Sequence, residues 1–573
     1  MWRTLQNQIP LLNSLGNYNR ESFQGDLTAG LTTAIMLVPQ AMAYAMLAGL
    51  EPIIGLYAAT LPTAIYAFFG TSRMLAVGPV AMVSLLVAGG VAPLAGNDPV
   101  LYATYASLLM LLVGALQVGM GVFRVGFLVK FLAHPVIAGF TSAAALIIGF
   151  SQLKHLLGVP LARSHHIHSI ALEAISQWHA VNGLTLLIGA GSIGALWGLK
   201  RFAPKLPRFL IVVVTSTAMV ALFKLNLSGV AIVGAVPSGL PRFKMPLMDP
   251  AVLVDLLPTA LTISLVGFME SIAVAQNFAR GRDYKVDPGM ELRALGLANL
   301  AGAFFLGYPV TGGFSRTAVN AQAGAKTGIA AIITAVTVAL SLLVLTPAFY
   351  YLPMTVLAAI IITAVGGLVD IKEARHLWSS SRPDLALMAI TFVATLTFGI
   401  ETGVLLGVAA SLLWFVAATS KPHVAVLGKI PGTTVYRNVL RHPRAEPSPR
   451  VLAFRMDGPL YFANTAFLKS TVEDLLGASE TNTEAVILDA STIGNIDASG
   501  ANSLLEIARD LDALKIQLYI AGLRGPVHDA LKLAGLLEVL SSDHLVLGVH
   551  QAMEALGTAP QLPVLPTVNS TAV

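Results

Sequence analysis

The sequence predicts a polytopic α-helical membrane protein of about fourteen transmembrane segments, with a C-terminal α/β domain outside the membrane. Three observations carry this. Charged residues are 11% of the 573 positions and hydrophobic ones 55%, whereas ordinary soluble domains carry about 25% charged residues. Apolar runs such as TAGLTTAIMLVPQAMAYAMLAGL and SLLMLLVGALQVGMGV recur up to about residue 420, and a helix needs roughly 20 such residues to cross a hydrocarbon core. Beyond that point the composition turns polar, and strand-like and helical stretches alternate.

Residues 1–25 are polar and lack a signal-peptide pattern, so the N-terminus is expected to stay in the cytoplasm. Hydrophobic spans follow near 27–47, 53–69, 75–91, 101–121, 130–152, 182–199 and 208–224. A second set lies near 253–278, 290–306, 312–324, 328–348, 353–369, 384–399 and 402–418. Basic residues test that count. Arg73, then Arg124 and Lys130, then Lys200, Arg201, Lys205 and Arg208 fall in alternate loops. Arg280, Arg282 and Lys285, then Lys326, then Lys372, Arg375 and Arg382 continue the alternation, while 225–250 holds Arg242 and Lys244. Basic loops stay inside, so an even number of spans puts both termini in the cytoplasm of an inner (plasma) membrane protein.

Two spans are broken. GTSRMLAVGPVAMVSLLVAGG has Gly-Pro at its middle, and FFLGYPVTGGFSRTAVNAQAGAKTG has Pro and Gly-Gly at the same relative place. Each reads as an extended stretch followed by a short helix, starting near Pro79 and near Gly313. One is the third span and the other the tenth, seven apart. Irregular backbone at membrane depth is tolerated only where protein buries it or where it lines a cavity. Broken segments at corresponding places in two halves point to an inverted-repeat transporter and to its binding site.

After the transmembrane part (26–420) a linker is expected at 421–449, then an α/β domain at 450–556 and a disordered tail at 557–573. In the α/β domain VLAFRMDGPLYFAN and IQLYIAGL read as strands, and GANSLLEIARDLDAL places Leu504, Leu505, Ala508 and Leu511 at helical spacing. Cysteine is absent, which excludes disulfides, thiolate metal sites and cysteine nucleophiles. The excess of 35 Lys+Arg over 30 Asp+Glu is accounted for by basic inner loops and needs no nucleic acid. No enzymatic activity, cofactor or metal is expected.

The chain resembles the sulfate permease family of anion transporters. The resemblance rests on PQAMAYAMLAGLEPIIGLYAA, GTSRMLAVGPVAMVSLL, HPVIAGFTSAAALIIGFSQLKHLLG, GFMESIAVAQNFA and GGFSRTAVNAQAGAKT, in the expected order from about 27 to 420. The C-terminal domain is similar to the STAS domain, with VILDASTIGNIDASG as its signature loop. The resemblance implies a seven-plus-seven inverted repeat with a core part that moves past a gate part, a substrate site between the two half-helices completed by the first and eighth spans, and a homodimer. By motif it carries over Gln40 and Tyr44, and Ser315 and Arg316, as substrate-binding residues.

The residues support that site on their own chemistry. Two half-helices meeting at mid-membrane present unpartnered N–H groups and two positive dipole ends, which involves Pro79, Val80 and Ala81 on one side and Gly312, Gly313 and Phe314 on the other. Pro79 suits a first helical position, the glycines allow a close approach, Ser315 offers a hydroxyl, and Arg316 offers a planar donor fork suited to oxyanions. Alternatives stand beside each: a structural ion pair or a snorkelling side chain for Arg316, helix-packing hydrogen bonds for Gln40 and Tyr44, and a simple cap for Ser315. Glu270 lies deep in the apolar LTISLVGFMESIAVAQ. Desolvation and a nearby arginine act oppositely on a carboxylate, so Glu270 either couples protons to anion occupancy or forms a permanent pair with Arg316.

His165, His166 and His168 read as an exposed loop rather than a metal site, and Asp98 and Glu401 as solvated residues near span ends. Ser499 aligns with the phosphorylated serine of anti-sigma antagonists, although a helix N-cap is the reading preferred here. The resemblance implies proton-coupled sulfate uptake as the best single function. Sodium-coupled bicarbonate transport, proton-coupled C4-dicarboxylate transport, an uncoupled exchanger or channel, and a membrane anchor for the STAS module are the alternatives.

Overall fold

The computed structural model describes residues 9–16, 18–96, 98–124, 133–161, 167–203, 206–246, 248–478 and 482–557. They form two compact units, Met1–Ser411 and Leu412–Val573. The side chains of His165, His166, His168 and Glu401, and nearly all of the 557–573 tail, lie outside the described residues.

In the first unit a short helix α1 (Pro10–Leu15) precedes α2 (Arg20–Leu47). The latter starts about two turns before the apolar run because Asn19 caps it, accepting from Ser22 N at 2.8 Å. The second crossing is interrupted: α3 (Pro52–Ala58) stops and α4 (Leu61–Phe69) begins with Pro62 in its first turn, where a missing N–H costs nothing. Strand β1 (Val77–Gly78) leads into α5 (Ala81–Ala95). Then follow α6 (Pro99–Val122), α7 (His134–Ser151), α8 (Leu153–Leu157), α9 (Ile167–Ser176), α10 (Gly183–Phe202) and α11 (Arg208–Phe223).

The second set repeats the order with α12 (Pro250–Ala279), α13 (Pro288–Ala303), strand β2 (Thr311–Gly312) into α14 (Phe314–Gln322), and α15 (Ile329–Val344). It ends with α16 (Met354–Val365), α17 (Ile371–Ser380), α18 (Arg382–Phe398) and α19 (Ile400–Ser420). Among the described residues, seven crossings are long and apolar enough to span a bilayer by themselves, with α3–α4 and α7–α8 each counted as one. The shorter or broken β1–α5, α11, α13, β2–α14, α15, α16 and α18 complete the fourteen.

The two sets interlock rather than stand side by side. Helices α2 to α6 pack with α12 to α15, while α7, α10 and α11 pack with α16 and α18. Lipid tails give no hydrophobic drive between helices, so small residues that let backbones touch supply the association. A Cβ added at Gly114 would lie 2.6 Å from Leu300 N, and one at Gly296 2.6 Å from Val118 N, so α6 and α13 meet at main-chain distance.

Two buried carboxylates tie one set to the other. Asp26 of α2 accepts from Lys326 N at 2.7 Å, Thr327 N at 3.0 Å and Thr327 Oγ1 at 2.6 Å, at the turn that opens α15. Glu291 of α13 accepts from Tyr66 Oη at 2.7 Å, Thr71 N and Thr71 Oγ1 at 2.6 Å each, and Ser72 N at 2.9 Å, at the turn that leads to β1. Buried charge is tolerable only with such saturation. Each turn is therefore held by the opposite set.

The second unit runs β3 (His423–Lys429), β4 (Tyr436–Asn438), β5 (Val451–Asp457), α20 (Thr465–Gly477), β6 (Ala485–Asp489), α21 (Ala498–Ala513), β7 (Gln517–Ala521), α22 (Gly525–Leu533), α23 (Leu536–Val539), β8 (Leu545–Val546) and α24 (Val549–Ala555). Its six-stranded sheet has the order β4-β3-β5-β6-β7-β8, parallel from β5 to β8 and antiparallel at β3 and β4. The expected linker at 421–449 is corrected here. It carries β3 and β4, because the apolar residues of HVAVLGK pair directly with β5. The N-cap reading of Ser499 is corrected too. Asp497 caps α21, accepting from Gly500 N at 2.8 Å, while Ser499 stands exposed in the first turn. Asp98 does cap α6, accepting from Val100 N at 2.8 Å and Leu101 N at 3.1 Å.

Candidate functional site

β1 and β2 form an antiparallel pair, with Val77 opposite Gly312 and Gly78 opposite Thr311. Gly313 N extends it, donating to Ala76 O at 3.1 Å. Side chains from the surrounding helices satisfy most of what the short pair leaves over. Thr317 Oγ1 accepts from Ala76 N at 3.1 Å, Asn320 Nδ2 donates to Met74 O at 2.9 Å, and Thr63 Oγ1 donates to Val77 O at 3.0 Å. On the other strand Gly312 N donates to Ser271 Oγ at 2.8 Å, and Asn299 brackets Val310, accepting from its N–H at 2.9 Å and donating to its carbonyl at 3.1 Å. The strands are held from α4, α12 and α13 at once.

Each strand runs into a helix whose capping residue, Val80 or Gly313, is extended and supplies no side-chain cap. The first-turn N–H groups of α5 and α14 therefore have no intrahelical acceptor, and both positive dipole ends lie at the strand pair. Pro79 is not the first helical residue as expected. It stands two places before Ala81, because the extended chain continues through Val80. Its carbonyl accepts a hydrogen bond from Arg316 Nη1, which joins the start of one half-helix to the approach of the other.

Arg316 is 1% exposed, and its Nε and Nη2 are buried without a partner. Burial excludes snorkelling, and among the described residues the arginine has no direct ion pair with Glu270 or any other carboxylate. A buried, half-satisfied guanidinium is costly. Glycine makes room for it: a Cβ at Gly313 would sit 2.9 Å from Arg316 Nη2.

Tyr44, Glu270 and Tyr308 lie close enough to act on the charge of Arg316. Gln40 precedes Tyr44 by four residues on α2, so the two share a helix face. Gln40 is 1% exposed, and neither its amide nitrogen nor its oxygen has a partner, which removes the packing hydrogen bond as its explanation. Glu270 is half-buried with Oε2 unpartnered. Phe314 and Ser315 are exposed, with the Phe314 ring 5.8 Å from that of Phe278. Ser499 belongs to the other unit.

Sequence reasoning passed over the supporting shell. Ser271 and Thr311 share a 2.6 Å hydrogen bond, Thr311 Oγ1 also donates to Gly267 O at 2.6 Å, and Tyr308 Oη lies 3.1 Å from Ser84 Oγ. The available signal was the presence of polar residues inside apolar helices, Ser271 beside Glu270 and Asn299 in GLANLAGA.

Comparisons with known proteins bear on the family and the fold. The Sulfate permease family matches residues 23–391, and the STAS domain matches 442–552. The chain is 41% identical over 552 residues to Sulfate transporter 4.1, chloroplastic, of Arabidopsis thaliana, covering 93% of this chain and 80% of that protein. The murine Slc26a9 anion transporter, solved in an inward-facing state, superposes with a TM-score of 0.91 at 25% identity, covering 98% of this chain and 95% of that one. The transmembrane domain of the cyanobacterial bicarbonate transporter BicA shares the fold, with a TM-score of 0.58 at 23% identity over 69% of this chain and 98% of its own.

Gly313→Ala tests the packing of the guanidinium. Gly313 has φ −107° and ψ 129°, which alanine adopts freely, so only the space behind Arg316 changes. The expected result is a folded protein whose anion affinity in uptake assays falls roughly tenfold, the scale of one charge-assisted hydrogen bond. Unchanged affinity contradicts this placement of Arg316.

Proposed function

This chain belongs to the sulfate permease family, a family of membrane anion transporters, and from that premise we propose that it is a secondary active transporter taking up sulfate together with protons. The carrying observation is the buried guanidinium of Arg316 at the joint of two half-helix starts, bonded to Pro79 O with two of its nitrogens unpartnered. A compact dianionic oxyanion fits that donor set. It can take the guanidinium fork, first-turn N–H groups at residues 80–83 and 314–316, the Ser315 hydroxyl, and the Gln40 amide and Tyr44 hydroxyl from α2. The sulfate transporters among its relatives support this substrate.

The two interlocked groups support transport by alternating access. The group holding the site (α2 to α6 with α12 to α15) moves against the group of α7, α10, α11, α16 and α18. Helix α2 carries Gln40 and Tyr44 and packs against α16 and α11, so the sliding surface passes beside the anion. Glu270 is the proposed proton carrier: it senses Arg316 without being locked in an ion pair, so its proton can follow anion arrival and departure. The protein is placed in the inner (plasma) membrane as a homodimer with both termini cytoplasmic.

Uptake into proteoliposomes of labelled sulfate, bicarbonate and fumarate, each under a proton or a sodium gradient, tests substrate and coupling together. Sulfate accumulation above equilibrium under a proton gradient is expected; dissipation without accumulation marks a channel. Arg316→Ala is expected to abolish sulfate uptake while elution and thermal unfolding stay those of a folded protein. Retained uptake with unaltered affinity removes Arg316 from the site. Glu270→Gln is expected to leave sulfate exchange measurable but insensitive to the pH gradient. Unchanged proton coupling in that variant refutes the role of Glu270.

A further inference from the structure

Helix α17 is not one of the predicted spans. It lies in the connection between α16 and α18, and its residues sort into three faces. Leu377, 5% exposed, packs with Ala374 against Ala138, Leu385 and Met388. Ile371 and Trp378, 62% and 76% exposed, lie seven residues apart and so on one side. Lys372 and Arg375 are exposed next to that side, and exposed Arg382 opens α18 just beyond.

The acidic residues of this stretch are turned to other uses. Asp370 caps α17, accepting from Glu373 N at 2.9 Å, and its own N–H donates to Ser142 Oγ at 3.1 Å. Glu373 faces His134, 3.4 Å away. Among the described residues Lys372, Arg375 and Arg382 have no ion-pair partner. The result is an apolar strip with tryptophan, flanked by cations, on a short helix in the connection between two crossings.

The equivalent connection of the first set provides a comparison within the same molecule. There α9 and the residues after it also expose Leu172, Ile175 and Trp178, yet residues 167–180 contain no Lys or Arg. On the topology proposed above, with both termini cytoplasmic, that connection lies on the outer face and α17 on the inner one. Basic residues on the inner side are ordinary for a membrane protein; what distinguishes α17 is that its cations flank an exposed apolar strip.

We propose that α17, through Lys372, Arg375 and Arg382 flanking Ile371 and Trp378, docks on anionic phospholipid headgroups of the cytoplasmic leaflet. Amphipathic helices with basic flanks bind such surfaces by apolar insertion together with charge attraction. A second copy of the chain is the poorer occupant, since a two-fold contact would set the same cations against one another. Because α17 joins α16 to α18, the docked helix fixes the second group of helices in the leaflet while the site-bearing group moves against it.

Full-length protein in phosphatidylcholine vesicles containing brominated phosphatidylcholine or brominated phosphatidylglycerol, at equal mole fraction, tests this through tryptophan quenching. The contribution of Trp378 is the difference between the native chain and Trp378→Phe; that of Trp178 is obtained the same way. Brominated phosphatidylglycerol is expected to quench Trp378 about two- to fivefold more efficiently, with no such preference at Trp178. The preference is expected to vanish in Lys372→Gln/Arg375→Gln/Arg382→Gln and to shrink with salt. Equal quenching by the two lipids, or a preference that survives the triple substitution, overturns the proposal. So does quenching by neither lipid combined with disulfide cross-linking of Ile371→Cys between two copies, a clean readout in a chain without cysteine.

Discussion

Extended backbone cannot stand in a hydrocarbon core unless the protein itself satisfies its amide groups. Most of this fold follows from meeting that demand in one place. The two broken crossings pair with each other through Val77–Gly312 and Gly78–Thr311, and Thr63, Ser271, Asn299, Thr317 and Asn320 supply further partners. Neither strand would be tolerable alone. Their pairing obliges the two sets of seven to interpenetrate, and the cross-ties at Asp26 and Glu291 hold the turns on which it depends.

The same arrangement generates the site. Once the strands are paired, two helices must begin beside them, and the first turns of both leave N–H groups unspent. Arg316 adds a full charge without a carboxylate to neutralise it. Left empty, that assembly is electrostatically unfavourable; an anion relieves it. On the proposed reading, anion binding and the broken-helix fold are two consequences of one geometry, with Glu270 partly buried nearby and its Oε2 unpartnered.

Much of this was legible in the sequence because the signals are coarse. Hydropathy and the alternation of basic loops mark fourteen crossings, and Gly-Pro and Pro-x-x-Gly-Gly mark the two breaks. The finer features depend on contacts that no local pattern encodes. Pro79 looks like a helix start, but strand pairing carries the extended chain two residues further. Ser499 looks like a cap, yet Asp497 is better placed for it. Residues 421–449 look like a linker because Pro and Arg crowd them, while β3 needs only a short apolar alternation and a partner strand. Glu291 was hidden at the head of an ordinary helix, its hydrogen-bond donors coming from residues more than two hundred positions away.

The central claim is that the anion sits at the joint of α5 and α14, on Arg316. The most direct measurement is a structure of the protein with selenate, which matches sulfate in shape and charge and scatters anomalously. An anomalous peak within hydrogen-bond reach of Ser315 and of the main-chain N–H groups at residues 80–83 and 314–316 is the result this account predicts. A selenate bound elsewhere, with Arg316 still on the Pro79 carbonyl and nothing at the joint, would contradict it.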